Sequence, residues 1–308
     1  MKVLLTVNMV QDHVKQMEDL GYEILFEDER RSDFQGDYSD VDILITYNAF
    51  PGLTRQQLPN LKWIQLTSIG FDQVSPEFQD VMISNNHGGY SPQIGEWVVG
   101  MILAMEKRLH QIYDNQRDHK WRMLMSLTSL KGKTIAFIGT GTLARESVKR
   151  LAGFEVDCLG VNRSGHPVEG FDETHRLADI KQVLARADHV INCLPATPDT
   201  IGLIDGEFIL AMKPGAHLHN ISRGLVLVEK DLIRYHDHLG MIALDVFETE
   251  PLPENSPLWQ LPNIIISSHN SWVDQHIARG RFELFYDNLQ RFQSNQPLRN
   301  IINYERGY

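Results

Sequence analysis

Residues 130–164 read LKGKTIAFIGTGTLARESVKRLAGFEVDCLGVNRS, and this stretch decides the fold. A short apolar run, 134–138, ends at a glycine-containing turn, 139–144. An amphipathic segment, 145–153, follows the turn, and a second β-rich run covers 156–161. Strand, glycine turn, helix and strand within about 30 residues are typical of a dinucleotide-binding βαβ unit. The alternative is a glycine turn that binds nothing in an α/β protein.

The turn itself predicts a phosphate-binding site. Gly139 would permit a tight bend, and Gly141 would let the backbone approach a pyrophosphate. The N-terminus of the helix that follows the turn would supply free N–H groups and a partial positive charge to the phosphates. Ala144 stands where a third glycine is usual and is small enough for close helix–strand packing.

Length and composition limit the class of protein. The 308 residues suffice for two domains, and 42% hydrophobic with 22% charged residues is ordinary for a soluble globular chain. Forty acidic against 29 basic residues argue against a nucleic-acid or anionic-membrane partner. Two cysteines, Cys158 and Cys193, make no disulfide framework. The N-terminal run MKVLLTVNM is too short and too polar for a signal peptide, so we expect a cytoplasmic protein.

Apolar runs and helix-length segments alternate along the whole chain. This alternation predicts parallel sheets with helices on both faces, an α/β fold of two doubly wound domains. The predicted strands are 2–7, 22–26, 42–46, 61–66, 81–84, 134–138, 156–161, 189–193, 217–220, 241–245 and 264–267. The predicted helices are 11–20, 91–108, 145–153, 198–212, 229–236 and 272–293. The division predicted is 1–95 plus 275–308 for one domain and 96–274 for the dinucleotide-binding domain.

Three ionisable residues stand just beyond predicted strands: Arg223 in NISRG, Glu250 in FETEP and His269 in SSHNSW. Ligands of open parallel sheets bind at the carboxyl ends of the strands, so these side chains would share one edge. Histidine titrates near neutrality and can give a proton to a carbonyl oxygen or take one from an alcohol. A carboxylate would orient the imidazole, and an arginine can bind a carboxylate bidentately. The set fits a 2-oxo acid, although each residue alone could be structural.

Three ordered blocks carry a resemblance to a known family: LKGKTIAFIGTGTLA, CLPATPDTIGLIDGEFILAMKPGAHLHNISRG and ALDVFETEPLPENSPLWQLPNIIISSH. They resemble the D-isomer-specific 2-hydroxyacid dehydrogenases. The resemblance implies that Arg223 binds the substrate's carboxylate and carbonyl, that His269 is the acid/base and that Glu250 is its partner. Glu250 is preferred to Glu248 because it immediately precedes the proline.

The same resemblance implies further contacts. Backbone N–H groups of Ser68, Ile69 and Gly70 would hold the substrate carboxylate. The cofactor contacts would be Gly139, Gly141, Thr142, Leu143, Asn162, Arg163, Ser164, Leu194, Pro195, Ile221, Ser222 and Asp245, the last facing the nicotinamide. A Rossmann NAD(P)-binding domain would be inserted into a flavodoxin-like substrate domain, with a homodimer formed through the cofactor domain. The tripeptide 270–272, NSW, departs from the small apolar residues usual after the histidine.

The second strand of the βαβ unit bears on cofactor choice. An NAD site usually has an acidic residue there, but this chain has Asn162, Arg163 and Ser164. Arg163 and Ser164 could bind a 2′-phosphate, which predicts NADP(H) as the preferred cofactor with NAD(H) possible. The alternative is that Arg163 faces solvent and both cofactors serve equally.

The predicted function is reduction of a small 2-oxo acid to a D-2-hydroxy acid, of the glyoxylate/hydroxypyruvate reductase type. Two alternatives stay open: a phosphoglycerate dehydrogenase-like enzyme without a regulatory C-terminal domain, and a non-catalytic NAD(P)-sensing protein resembling a corepressor. No metal site is predicted, since the pairs His217/His219 and His236/His238 lack cysteine or carboxylate at ligand spacing and are interpreted as solvated or structural.

Overall fold

A computed structural model describes residues 1–31, 33–275 and 277–302. The chain forms two compact units, Met1–Tyr90 with Asp274–Tyr308, and Ser91–Val273. The strands are β1 (Lys2–Leu5), β2 (Glu23–Phe26), β3 (Val41–Thr46), β4 (Trp63–Leu66), β5 (Met82–Ser84), β6 (Thr134–Ile138), β7 (Asp157–Asn162), β8 (Glu173–Arg176), β9 (His189–Asn192), β10 (His217–Asn220), β11 (Ile242–Leu244) and β12 (Ile264–Ile266). The α-helices are α1 (Gln11–Asp19), α2 (Ser91–Glu106), α3 (Leu109–Arg117), α4 (Thr142–Leu151), α5 (Ile180–Leu184), α6 (Gly206–Ala211), α7 (Glu229–Tyr235) and α8 (Ile277–Gln293).

The first unit is a five-stranded parallel sheet in the order β2-β1-β3-β4-β5. This is the flavodoxin-like order. Leu4 and Leu44 belong to a buried cluster on one face, whereas Val3 and Trp63 pack with Phe285 of α8 on the other. Because both faces are covered, the strands read as nearly continuous apolar runs.

The second unit is a seven-stranded parallel sheet in the order β12-β11-β10-β9-β6-β7-β8. Strand β6 pairs with β7 on one side and with β9 on the other, so the strand order reverses at β6. This is the Rossmann arrangement, and ligands of such sheets bind outside the carboxyl ends at this switch point. The predicted α/β class with two doubly wound parallel sheets is therefore confirmed.

The boundaries between the units differ slightly from the sequence-based division. Helix α2 begins at Ser91 and belongs wholly to the second unit, so the division at 95/96 falls inside this helix. The predicted domain ranges also included Ser32, His276 and 303–308, which lie outside the described residues.

Two helix predictions were wrong in part. The segment 198–205 is not helical, because the Thr200 hydroxyl bonds the Pro195 carbonyl oxygen at 2.5 Å and Ile204 bridges to Leu227. Asp205 instead caps α6 by accepting the Phe208 N–H at 2.9 Å. Helix α2 stops at Glu106, and Arg108 adopts a left-handed backbone (φ 47°) before α3.

The last predicted helix also begins later than expected. Ser271 and Trp272 lie in a turn, and α8 begins at Ile277, while His276 in the predicted helix lies outside the described residues. Among the helices that the structure describes, none combines the length and the apolar character needed to cross a membrane.

Candidate active site

The glycine turn follows β6 at the switch point of the second sheet. Gly139 has φ 102°, and a Cβ at this position would lie 3.1 Å from the carbonyl group of Cys193, so a larger residue would be strained and would press on the Cys193 backbone. A Cβ at Gly141 would meet no atom within 4 Å. The protein itself therefore does not require glycine at 141, whereas a phosphate seated against the start of α4 would. The turn fits a dinucleotide pyrophosphate.

The loop after β7 is shaped by one asparagine side chain. Asn162 Oδ1 accepts N–H hydrogen bonds from Ser164 at 3.2 Å and from Gly165 at 2.7 Å. The Arg163 guanidinium is 82% exposed and forms an ion pair with Asp199, which is itself 70% exposed. An exposed pair of this kind contributes little stability, so a phosphate could replace the carboxylate. No sequence pattern pointed to Asp199 as the partner of Arg163.

Two buried asparagines connect the loops after β9 and β10. Asn192 Nδ2 donates to Asn220 Oδ1 at 2.9 Å, and Asn220 Nδ2 donates to the Arg223 carbonyl oxygen at 3.1 Å. The Ser222 hydroxyl donates to the Leu194 carbonyl oxygen at 2.6 Å. Both loops are therefore fixed by hydrogen bonds from side chains at strand ends. The other predicted cofactor residues also follow strands of this sheet: Thr142, Leu143, Ser164, Pro195, Ile221 and Asp245.

A histidine–carboxylate pair lies beyond β11 and β12. His269 Nδ1 is 2.7 Å from Glu250 Oε2, and Glu250 Oε1 accepts the Phe247 N–H at 3.0 Å. Glu248 binds Glu229 instead of this histidine. The Glu248 carboxylate accepts the Glu229 backbone N–H, and the Glu248 backbone N–H donates to the Glu229 carboxylate. The pair fixes one imidazole nitrogen against the carboxylate and leaves Nε2 as the atom that would exchange a proton with a ligand.

The loop that carries His269 is held by Asp245, which is fully buried. The Asp245 carboxylate accepts the Ser267 hydroxyl at 2.6 Å and the N–H groups of Asn270 and Ser271, each at 3.0 Å. The His269 N–H donates to the Asp245 carbonyl oxygen at 2.8 Å. These contacts hold His269 in a left-handed conformation, φ 50°. This supporting role of Asp245 was not predicted from the sequence, although the polar residues after β12 are a signal for it.

The loop that carries Arg223 packs against the loop that carries Phe247 and Glu250. A Cβ at Gly224 would lie 1.9 Å from the carbonyl group of Phe247, so the two loops touch backbone to backbone. The Phe247 N–H binds Glu250, which in turn binds His269. Because β10, β11 and β12 are adjacent and parallel, the three ionisable residues follow three neighbouring strands at one sheet edge.

The loop after β4 in the first unit, 68–70, was predicted to hold the substrate carboxylate. The carbonyl oxygens of Ser68, Ile69 and Gly70 accept hydrogen bonds from the Asn86 N–H (2.8 Å), the Asn85 amide (2.7 Å) and the Ser68 hydroxyl (2.7 Å). Within the described part of the chain, the N–H groups of these three residues donate to no protein acceptor. Three successive unused donors suit a carboxylate.

A buried ionic network lies at the opposite, amino-terminal ends of β9 and β10. Glu106 accepts from His189 Nε2 at 2.9 Å and from Lys133 Nζ at 3.1 Å, and the Thr128 hydroxyl also binds it. Burial raises the pKa of Glu106, but the hydrogen bonds from His189, Thr128 and Lys133 outweigh burial and hold it at about 2. His217 Nε2 lies 3.7 Å from the same carboxylate.

The network brings a carboxylate to two histidines, which the spacing of the sequence did not show. Glu106, His189 and His217 have the ligand types of a metal site. However, His217 Nδ1 accepts the Met241 N–H at 2.8 Å, so its neutral ring carries the proton on Nε2, the atom facing Glu106. That proton and the nearby Lys133 ammonium both disfavour a cation. The absence of a metal site stays a prediction.

The fold and this site together define a two-unit α/β oxidoreductase with a Rossmann nicotinamide-nucleotide-binding unit. The model of the D-isomer specific 2-hydroxyacid dehydrogenase NAD binding domain matches residues 99–271. The chain belongs to this family, and it therefore acts on the CH–OH or carbonyl group of small 2-hydroxy or 2-oxo acids with a nicotinamide cofactor.

Individual relatives agree with this family. A glyoxylate reductase of Thermofilum pendens is 33% identical over 222 residues, which cover 68% of this chain and 66% of that protein. A solved D-isomer specific 2-hydroxyacid dehydrogenase family protein of Aeromonas salmonicida is 32% identical, with a TM-score of 0.85 over 98% of this chain and 99% of that one. The NADPH-dependent glyoxylate/hydroxypyruvate reductase of Sinorhizobium meliloti, solved with NADP and sulfate, is 26% identical with a TM-score of 0.86 over 100% and 99% of the two chains.

Proposed function

We propose that this protein is an NADPH-dependent reductase of the glyoxylate/hydroxypyruvate type. The observation that carries the proposal is the His269–Glu250 pair, 2.7 Å apart, beside the Arg223 loop. Two relatives named glyoxylate reductase and glyoxylate/hydroxypyruvate reductase support the substrate class.

The chain's own residues would have the following roles in the reaction. The bound nicotinamide supplies the hydride. Arg223 binds the carbonyl oxygen and polarises it, because a guanidinium stabilises the negative charge that develops there. His269 Nε2 delivers the proton to that oxygen, while Glu250 holds Nδ1 and stabilises the protonated imidazole. The N–H groups of Ser68, Ile69 and Gly70 bind the substrate carboxylate.

The test is a panel of 2-oxo acids assayed with NADPH and with NADH at the nicotinamide absorbance. Glyoxylate and hydroxypyruvate are expected to be reduced, and 3-phosphoglycerate oxidation tests the dehydrogenase alternative. An enzyme that binds NADPH but turns over no member of the panel would contradict the proposal and leave the NAD(P)-sensing function.

The cofactor preference depends on Arg163. We propose that it binds the 2′-phosphate of NADPH, supported by its exposure, its existing pairing with the carboxylate of Asp199 and the absence of an acidic residue at Asn162. Arg163→Ala is expected to weaken NADPH binding by about 1.5–3 kcal/mol, the scale of a charged hydrogen bond, with NADH barely affected.

Titration calorimetry with both cofactors measures this effect. Lys181→Ala removes an exposed cation that pairs with Glu207 on the same unit, and it should change neither affinity. Equal losses for NADPH and NADH in the Arg163 variant would refute the assignment.

We further propose that the chain is a homodimer joined through the segment 109–127 of the second unit. Large apolar side chains are exposed along it, including Tyr113 (60%), Trp121 (104%) and Met125 (85%). Such a concentration of exposed apolar surface marks an association site. Light scattering is expected to give twice the 35.3 kDa chain mass, and a monomer at micromolar concentration would contradict this. A cytoplasmic location stays a prediction, supported by the free thiols of Cys158 and Cys193.

A further inference from the structure

A second arginine lies beside the loop that follows β7. Arg176 is the last residue of β8, and its register partner on the neighbouring strand is Asn162, the last residue of β7. The acidic residue of an NAD site, which binds the ribose hydroxyls, usually stands at the end of this second strand of the βαβ unit. Arg176 therefore lies one strand away from the point where the 2′ position of a bound adenosine ribose is expected.

The side chain of Arg176 lies against this loop in a fixed orientation. Its Nε donates to the Ser164 carbonyl oxygen at 3.2 Å. A Cβ at Gly165, which has φ 72°, would lie 2.6 Å from Arg176 Cγ, so the arginine stem passes directly over a residue that has no side chain. The Gly165 N–H donates in turn to Asn162 Oδ1 at 2.7 Å. The arginine stem and the backbone of the loop thus pack directly against each other.

The two arginines at this loop differ in their partners. The Arg163 guanidinium already pairs with Asp199. Arg176 is exposed, and among the described residues it has no carboxylate partner, since its hydrogen bond to Ser164 uses Nε alone. Its two Nη groups can therefore donate to a ligand. In a chain with a formal net charge of -11, an oriented guanidinium of this kind is a local attraction for an anion.

We infer that Arg176 binds the 2′-phosphate of NADPH together with Arg163, so that two guanidinium groups from neighbouring strands set the cofactor preference. The inference rests on the proposed function, which assigns the 2′-phosphate to Arg163. A phosphate monoester offers three strong acceptor oxygens and carries about −1.5 to −2 charge at pH 7, so it can bind both arginines at once. The Asp199 carboxylate competes for Arg163, whereas no described carboxylate pairs with Arg176. Arg176 is then a specificity-determining residue that takes no part in hydride or proton transfer.

Another arginine of the same unit offers a matched control. The Arg186 side chain is 47% exposed, and its guanidinium binds the Glu173 carboxylate through two hydrogen bonds of 2.7 and 2.8 Å. Glu173 is the first residue of β8, at the opposite end of the strand from Arg176. Arg186→Ala therefore removes one positive charge near the same strand without changing a contact of the loop after β7.

The experiment measures binding of NADPH and of NADH by titration calorimetry without substrate. The two cofactors differ only in the 2′-phosphate, so the ratio of their affinities isolates its contacts. Arg176→Ala is expected to weaken NADPH binding by about tenfold or more, the scale of a charged hydrogen bond, and to leave NADH binding unchanged. Arg176→Lys, which keeps the charge without the planar fork, should lose less than Arg176→Ala. Arg186→Ala should change neither affinity.

Three outcomes would contradict the inference. If Arg176→Ala binds NADPH as the wild type does, Arg176 does not contact the 2′-phosphate, and a loss in Arg163→Ala alone would leave the cofactor preference intact. Equal weakening of NADPH and NADH by Arg176→Ala would show that the side chain only supports the loop. A wild-type chain that binds NADH as tightly as NADPH would overturn the cofactor preference as well, while the substrate panel with NADH tests reduction separately. Should the alanine variant not fold, the ratio of the two affinities in Arg176→Lys decides in the same way.

Discussion

His269→Ala is expected to lower kcat for glyoxylate reduction by about 10²-fold or more, with a smaller effect on KM. The magnitude follows from the usual contribution of a positioned general acid. His269 is bound through Nδ1 to Glu250, and its backbone is held by Asp245, so alanine removes the proton donor without an obvious replacement. Stopped-flow measurement of single-turnover hydride transfer separates this effect from cofactor release.

Two further variants are compared with His269→Ala. Glu250→Gln keeps an oxygen that can accept the Nδ1 hydrogen bond but loses the charge, so kcat should fall less than in the alanine variant and the pH profile should change. His236→Ala removes a histidine that contacts Asn263 and should leave kcat unchanged. A His269→Ala enzyme with near-normal kcat would remove this residue from the mechanism.

His217→Asn is expected to make the stability of the second unit less dependent on pH. Burial, together with the nearby His189, lowers the pKa of His217 from 6.5 to about 4. Between these values the unfolded chain binds a proton that the folded chain does not, so the contribution is present above pH 6.5 and is lost as the pH falls to about 4. The shift corresponds to about 3 kcal/mol of unfolding free energy.

Asparagine suits this test because its Oδ1 can accept the Met241 N–H as His217 Nδ1 does, yet it does not titrate. The unfolding free energy in urea, compared at pH 6.8 and pH 4.5, should fall less in the variant than in the wild type. His166→Asn changes an exposed histidine and should reproduce the wild-type slope. Parallel pH dependences for the wild type and His217→Asn would contradict the role of the buried ring.

The sequence by itself determined the α/β class and all the strands of the two sheets except β8. Apolar runs separated by helical segments are local patterns, and burial of both faces of a parallel sheet imposes them directly on each strand. β6 and β10 were predicted to the residue and the other predicted strands differed only at their ends, whereas β8, α3 and α5 were not predicted. The region 198–205 was mistaken for helix because the hydrogen bonds of Thr200 and the bridge of Ile204 are made with residues outside that segment.

The tertiary structure alone decided how distant residues combine. Glu106 and His189 are 83 positions apart, and Tyr90 and Arg281 are 191 apart, yet each pair shares a hydrogen bond. The sequence also could not show that Asp245 holds the His269 loop or that Asp199 pairs with Arg163. No local period encodes such contacts, because they depend on which strand ends and helices meet when each unit packs. The residue types needed for the chemistry and the pairing of His269 with Glu250 could be predicted from the chain, whereas the contacts that hold these residues in place depend on the folded backbone.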